Sequence, residues 1–279
     1  MGFLGFGVPI FIMAELNSVV TQIMQVSPIM KILRVKPDGW DFGDYKAGQF
    51  VALGLPAKAE RCPDATEEHT EHEDPEKIIK RAYSIASSSS QDHIEFYITL
   101  VHSGSLTPRI FNLKHGDRIM MGKKAAGMFT LDEISPDQNI VMIATGTGLA
   151  PYMSMLRSNA LKRQGKIMVI HGASNSWDLG YSSELELLQT MFENFTYYPT
   201  ITEPEKEPAG WNGDTRFIEE IWKDGVAEKA WGFRPAAENT HIFLCGNPNM
   251  VKGMTVLLEE DGFKSHSRKE PGQIHSEVF

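Results

Sequence analysis

The chain has 279 residues, 42% hydrophobic and 23% charged, with a formal net charge of -9. That is length enough for two domains with cores of their own, the composition is that of a globular protein, and the acidic balance has the wrong sign for nucleic acid. Two cysteines, Cys62 and Cys245, supply neither a disulfide framework nor the four thiolates of an iron–sulfur cluster, so a reducing, cytoplasmic setting is expected.

Residues 1–13 are expected to be an extension outside the folded domains. Positions 3–13 are apolar but only 11 residues long and interrupted by Pro9, too short to span a bilayer. A basic flank and a small-residue cleavage site are both missing, so a signal peptide is disfavoured.

From 14 to 136 the pattern is that of a small antiparallel β-barrel. Strands are predicted at 19–26 and 30–35 around Ser27-Pro28, then at 48–55, 81–88 and 94–101; after residues 104–109 a short helix carries Ile110, Phe111 and Leu113 on one face, and 116–121 is a turn into another strand. The intervening 57–80 stretch is acidic and reads as a solvated loop in which His69 and His72 have no fixed ligand geometry, so no metal is expected. Ser135-Pro136-Asp137 is a polar link to the second domain.

From 137 to 279 the rhythm is β-α-β-α, with strands predicted at 139–145, 166–171, 195–201 and 240–245 and helices near 150–163, 182–194, 215–223 and 248–260. Such alternation implies a parallel sheet covered on both faces, with ligands outside the carboxyl ends of its strands. At its start a β-branched run leads into Thr145-Gly146-Thr147-Gly148 and then Pro151. Strand, glycine turn and helix together present free N–H groups and a positive dipole end to a phosphate.

Three constellations carry chemistry. In Arg81-Ala82-Tyr83-Ser84 an arginine could clamp a pyrophosphate, a tyrosine ring could lie on a planar heterocycle, and a hydroxyl could donate to a ring nitrogen. Residues 104–107 form a turn whose N–H groups suit a phosphate. The strand ends Gly146 to Gly148, His171-Gly172-Ala173-Ser174 and Cys245-Gly246-Asn247-Pro248 should line one edge of the sheet, with Gly246 letting a ligand approach the backbone. The last residues, Glu277-Val278-Phe279, place an aromatic two positions after a carboxylate.

In this order the motifs resemble the ferredoxin/flavodoxin–NADP(H) reductase family, bacterial type. The resemblance runs from about Asn17 to Phe279 and rests on KAGQFVALGLP, RAYSIASS, EFYITLV, GSLTPRIF, GMFTLDEI, ATGTGLAPYMSML, DLGY, CGNPNMV and GQIHSEVF. It implies a two-domain β + α/β fold: an antiparallel FAD-binding barrel over 14–136, then a parallel-sheet NAD(P)-binding α/β domain over 137–279 whose C-terminal aromatic returns to the flavin.

For FAD the resemblance implies Arg81, Ala82, Tyr83 and Ser84, then Tyr97, Ile98, Thr99 and Leu100, then Ser105, Leu106, Thr107 and Thr147, with Phe279 on the opposite ring face. Around the hydride contact it places Ser84, Cys245, Glu277 and Phe279. For the nucleotide it implies Gly146, Gly148, Pro151, Ala173, Ser174, Thr202, Arg216, Gly246, Asn247 and Pro248.

The implied activity exchanges a hydride between NADP(H) and FAD and single electrons with ferredoxin or flavodoxin. An NADH-dependent reductase component of an oxygenase is the alternative, and a non-catalytic flavin or nucleotide sensor a remoter one. A monomer is expected, with no membrane or nucleic-acid partner. An acidic carrier would need a local basic patch, such as Lys114, Arg118, Lys123 and Lys124 or the 264–269 stretch.

Two departures from the family pattern bear on specificity. Many bacterial relatives end with one further tryptophan, whereas this chain stops at Phe279. Where NADPH-using members carry arginines, this chain has Ser174 and Thr202; only Arg216 keeps a basic residue there, with Lys206 nearby. NAD(H) is therefore a competitor to NADP(H).

Overall fold

The structure is a computed structural model and describes residues 16–70 and 72–278. The expected 1–13 extension and the expected stacking of Phe279 lie outside the described residues.

The first half forms six strands: β1 (Ser18–Ser27), β2 (Met30–Pro37), β3 (Phe50–Pro56), β4 (Ile78–Ser84), β5 (Ile94–Thr99) and β6 (Arg118–Met121). They pair in the order β4-β3-β6-β1-β2-β5, and an antiparallel bridge from Ile85 to Phe96 brings the two outer strands together into a barrel. Alternation drives this: in β3 the side chains of Val51, Leu53 and Leu55 point inward and meet Phe96, Ile98 and Ile119. Helix α1 (Thr107–Asn112) closes one end with Ile110, which is fully buried.

The acidic loop is better anchored than its composition predicts. Arg109, buried in α1, reaches the Ala57 carbonyl and Glu68, and His72 Nε2 lies 2.9 Å from Glu68 Oε1. Burial opposes ionisation of Glu68, but hydrogen bonds from Arg109, Ser105 and His72 outweigh it and hold its carboxyl down at about 2.

The second half is a five-stranded parallel sheet. Strands β7 (Asn139–Thr145), β8 (Ile167–Ala173), β9 (Phe195–Ile201), β10 (Thr240–Gly246) and β11 (Ile274–Val278) lie in the order β11-β10-β7-β8-β9. The chain thus starts in the middle, winds outward to β9, then returns to the other side of β7. This makes β7 and β10 a topological switch point.

One sheet face, with Met142, Val169 and Phe243, packs on α2 (Ala150–Ser158) and α3 (Ser182–Met191). The other, with Val141, Ile170 and Leu244, packs on α4 (Ile218–Lys223), α5 (Val226–Trp231) and α6 (Pro248–Glu260). Among the described residues no helix is long and apolar enough to cross a membrane.

The halves share a core: Met30, Ile32, Ala86 and Tyr97 of the barrel pack with Leu149 and Tyr152 of the second sheet's layer. Tyr97 OH donates to the Asp178 carbonyl at 3.0 Å and accepts from Gly180 N at 3.1 Å. Ser154 Oγ donates to Ser87 O at 2.6 Å.

Candidate functional site

The carboxyl ends of β7, β8, β9 and β10 and the β4–β5 side of the barrel enclose a cavity of about 830 Å³. Of the residues expected from sequence, Ala82, Tyr83, Ser84, Tyr97, Ile98, Thr99, Thr107, Gly146, Thr147, Gly148, Ala173, Ser174, Thr202, Arg216, Gly246, Asn247 and Pro248 line it.

Others stand off its wall. Leu100 and Leu106 are buried in the barrel and Pro151 in α2. Ser105 turns its carbonyl to Arg109. Arg81 is exposed, and its Nη1 donates to the adjacent Lys80 carbonyl.

At the barrel side, β4 ends in Tyr83 and Ser84. Tyr83 packs against the barrel core, and burial pushes its phenol well above the ordinary value. Ser84 is buried, and its Oγ has no hydrogen-bond partner among the described residues.

Opposite lies β11, an edge strand that the sequence pattern did not mark. Its register sets Glu277 beside Cys245 of β10. Burial raises the Glu277 carboxyl above the ordinary value while the Ser84 hydroxyl draws it partly back, yet Glu277 Oε2 also completes no hydrogen bond among the described residues. Burial, then the Glu277 charge, pushes the Cys245 thiol up, so it stays neutral. Three distant segments thereby converge on one spot, where the Ser84 hydroxyl lies near the Glu277 carboxylate but the two complete no well-formed hydrogen bond, leaving both open to a ligand.

The glycine turns, which line the cavity, also have a packing job. A single tight helical turn over Gly146–Leu149 precedes α2. A Cβ on Gly148 would sit 2.2 Å from the Cys245 carbonyl oxygen, and one on Gly246 (φ +132°) 2.3 Å from Thr145 Oγ1. The space that a Gly246 Cβ would take is filled by Thr145, its hydroxyl and its backbone: the β7 and β10 ends nest into each other. Asn247 N donates to Thr145 Oγ1 at 2.7 Å, and Asn247 Oδ1 caps α6 through Asn249 N. Thr99 Oγ1 donates to Thr147 Oγ1 at 3.2 Å, tying the turn to the barrel. Beneath it, His171 Nε2 lies 3.1 Å from the Gly146 carbonyl, and burial lowers that imidazole to about 4, leaving it neutral.

At the far end, Thr202 N donates to Ala173 O and Glu203 N to Ser174 O, closing β8 and β9 together. Arg216 Nε donates to Asp214 Oδ1 at 3.0 Å, Nη2 to Asp214 Oδ2 at 2.5 Å, and Nη1 to Asp224 Oδ2 at 3.1 Å. The Arg216 guanidinium, through its hydrogen bonds, holds the Asp214 carboxyl below the usual range. Lys206 is paired with Glu203. Next to Arg216, Phe217 is 65% exposed on the cavity rim.

The flavodoxin/ferredoxin–NADP reductase of Buchnera aphidicola subsp. Baizongia pistaciae is 36% identical over 238 residues, covering 84% of this chain and 88% of its own. The chain belongs to that family. The flavodoxin/ferredoxin–NADP reductase of Escherichia coli (strain K12) is 32% identical over 209 residues, 75% of this chain and 76% of its own. Residues 142–255 match the oxidoreductase NAD-binding domain family. Among solved structures, a ferredoxin NADP+ reductase from Neisseria gonorrhoeae with bound FAD and NADP superposes with a TM-score of 0.78 at 26% identity, over 94% of this chain and 97% of that one.

Sequence reasoning missed Asp178, Asp214 and Phe217 at this site and gave Thr145 no role beyond its place in the glycine turn. Thr145 and Phe217 each adjoin a residue it did mark, Gly146 and Arg216. Asp214 carries no local signal, since its partners Tyr198 and Arg216 become meaningful only once β9 is placed. Of the expected basic patch, Arg118 pairs with Asp38 and Lys123 lies over the Trp40 ring at 5.9 Å.

Proposed function

We propose that the chain works as a flavoprotein reductase, exchanging hydride between NADP(H) and FAD and single electrons with ferredoxin or flavodoxin, as a cytoplasmic monomer. The 14–136 barrel would hold FAD and the 137–279 domain the nucleotide. The observation that carries this reading is the meeting of Ser84, Cys245 and Glu277 between barrel and sheet, with Ser84 Oγ on the cavity wall and neither it nor Glu277 Oε2 completing a hydrogen bond among the described residues. The orphaned Ser84 hydroxyl in a large, mostly apolar-lined cavity, with the Glu277 carboxylate close by, fits a flat heterocycle with polar edges.

Bound FAD supplies the hydride and one-electron chemistry. The residues around it supply placement and charge. Tyr83 offers a ring face, and Ser84 Oγ a donor for a ring nitrogen. Glu277, when ionised, lies where it can balance positive charge developing on a nicotinamide that gives up hydride. Cys245, held neutral and fully buried beside Glu277, stands behind the cavity wall and does not act as a nucleophile. The nested turns at Gly148 and Gly246 fix the β7 and β10 ends against each other, and the Thr99–Thr147 contact ties that edge to the barrel, which preserves a near-attack geometry.

Anaerobic mixing of the FAD-loaded protein with NADPH, followed at the flavin absorbance, tests this directly. Bleaching, followed by recovery on adding oxidised ferredoxin or flavodoxin, is the expected result. Flavin that neither NADPH nor NADH bleaches would overturn it. Ser84→Ala should slow bleaching by about tenfold, the worth of one hydrogen bond.

A further inference from the structure

Among the described residues that line the cavity, Arg216 is the one basic side chain, and it faces carboxylates on both sides. All three of its guanidinium nitrogens are committed, Nε and Nη2 to Asp214 and Nη1 to Asp224. Lys229 completes the cluster at 2.8 Å from Asp224, giving two cations against two anions. Lys206, the other cation of this region, is matched by Glu203. Along the described cavity wall, an arriving dianion therefore meets no positive charge that is not already paired. To use Arg216 it must displace a forked, two-bond contact with Asp214 or accept a carboxylate as its neighbour.

We propose that Asp214 and Asp224 set coenzyme selectivity by sequestering Arg216, so that the 2′-phosphate is recognised weakly and NADH is accepted alongside NADPH. This rests on reading the cavity as the dinucleotide site. Selectivity is a difference between two affinities, and here it is reduced by neutralising the one group that could create it. The fork is held from other sides as well: Asp214 Oδ1 accepts from the Arg216 backbone N–H at 2.9 Å and Asp214 Oδ2 from Tyr198 OH at 2.8 Å, so a carboxylate that swung away from an approaching phosphate would give up two further hydrogen bonds.

The test is calorimetric titration of the FAD-loaded protein with 2′-phospho-AMP and with 5′-AMP, reading the ratio of affinities rather than turnover. The wild-type ratio is expected to be below about tenfold. Asp224→Asn removes one clamp at an exposed position and should raise the ratio several-fold, and Asp214→Asn should raise it further. Arg216→Ala should bring the two ligands to near equality. A wild-type ratio above about a hundredfold, or aspartate variants that leave the ratio unmoved, would overturn the proposal while leaving the nucleotide site intact. Binding of neither ligand would remove the site reading itself and the proposal with it.

Discussion

Glu95 of β5 and Arg157 of α2 meet across the two halves of the molecule, Oε1 to Nη1 at 2.5 Å, with the Glu95 side chain wholly out of solvent. Its second oxygen accepts from Arg34 Nε at 2.6 Å, and Tyr181 OH donates to Oε1 at 2.8 Å. Arg157 in turn grips Glu184 and donates to the Ala86 carbonyl. The carboxylate is thus shared by a barrel arginine, an α2 arginine and a tyrosine at the start of α3.

Removing this charge leaves two guanidinium groups facing a neutral amide. We expect Glu95→Gln to lower unfolding free energy by about 3 kcal/mol, read from urea denaturation, because breaking one member of a buried ion pair costs that much. Burial raises the Glu95 pKa, but the arginines more than reverse this and the net shift is downward. Its stabilisation is therefore full above the ordinary glutamate value of about 4.3 and is lost as pH falls through the depressed folded value. Glu95→Gln should flatten the acid limb of the stability profile.

Glu277 behaves in the opposite sense. Burial raises its folded pKa. The unfolded chain ionises first as pH rises, so stability falls between the ordinary value and the raised one, then levels off. Glu277→Gln should abolish that slope. If the carboxylate balances nicotinamide charge, bleaching by NADPH should quicken as pH crosses the folded value, and the variant should be slower by about tenfold or more and flat with pH. A rate profile that keeps its slope in the variant would assign the ionisation to another group.

Gly148→Ala tests the nesting of the two turns. Its Cβ would collide with backbone of Cys245 and Gly246, neither of which can rotate away. A loss of about 1–3 kcal/mol is expected on melting, with nucleotide affinity falling more than stability alone would explain. An unchanged melting temperature would mean that the turn slides freely.

Phe217 offers an exposed ring on the rim beside Arg216. If adenine stacks on it, Phe217→Ala should weaken 5′-AMP and 2′-phospho-AMP alike by about tenfold. Unequal weakening would place the ring against the phosphate end instead.

Much of this architecture was legible. β7, β9 and α6 fall at 139–145, 195–201 and 248–260 as predicted, since each is a strong apolar run or amphipathic stretch bounded by Pro, Gly or Asn. Strand β11 was not marked: Ile274-His275-Ser276-Glu277-Val278 is short and polar, and only pairing with β10 makes it a strand. Helix α5, six residues between Gly225 and Gly232, has too few turns for periodicity to show. Most of the marked site residues reach the cavity because they end strands that alternation locates. The roles of Gly246 and Glu95 depend on partners 101 and 62 positions away, and Asp214, although two residues from Arg216, is oriented by Tyr198 16 positions away; composition around them says nothing of those partners.

Asp214 carries a second duty. Its backbone pairs with Thr200, and its carbonyl accepts from Ile201 N–H at 3.2 Å, covering part of the free side of β9 that would otherwise invite another strand. Selection for tighter NADPH use would therefore find its two obvious targets unequal. Substituting Asp214 risks loosening a sheet margin and promoting self-association, whereas Asp224, at the end of a short surface helix, is free to vary. A laboratory lineage pushed toward NADPH should change position 224 before position 214, and should gain expression problems if forced in the reverse order.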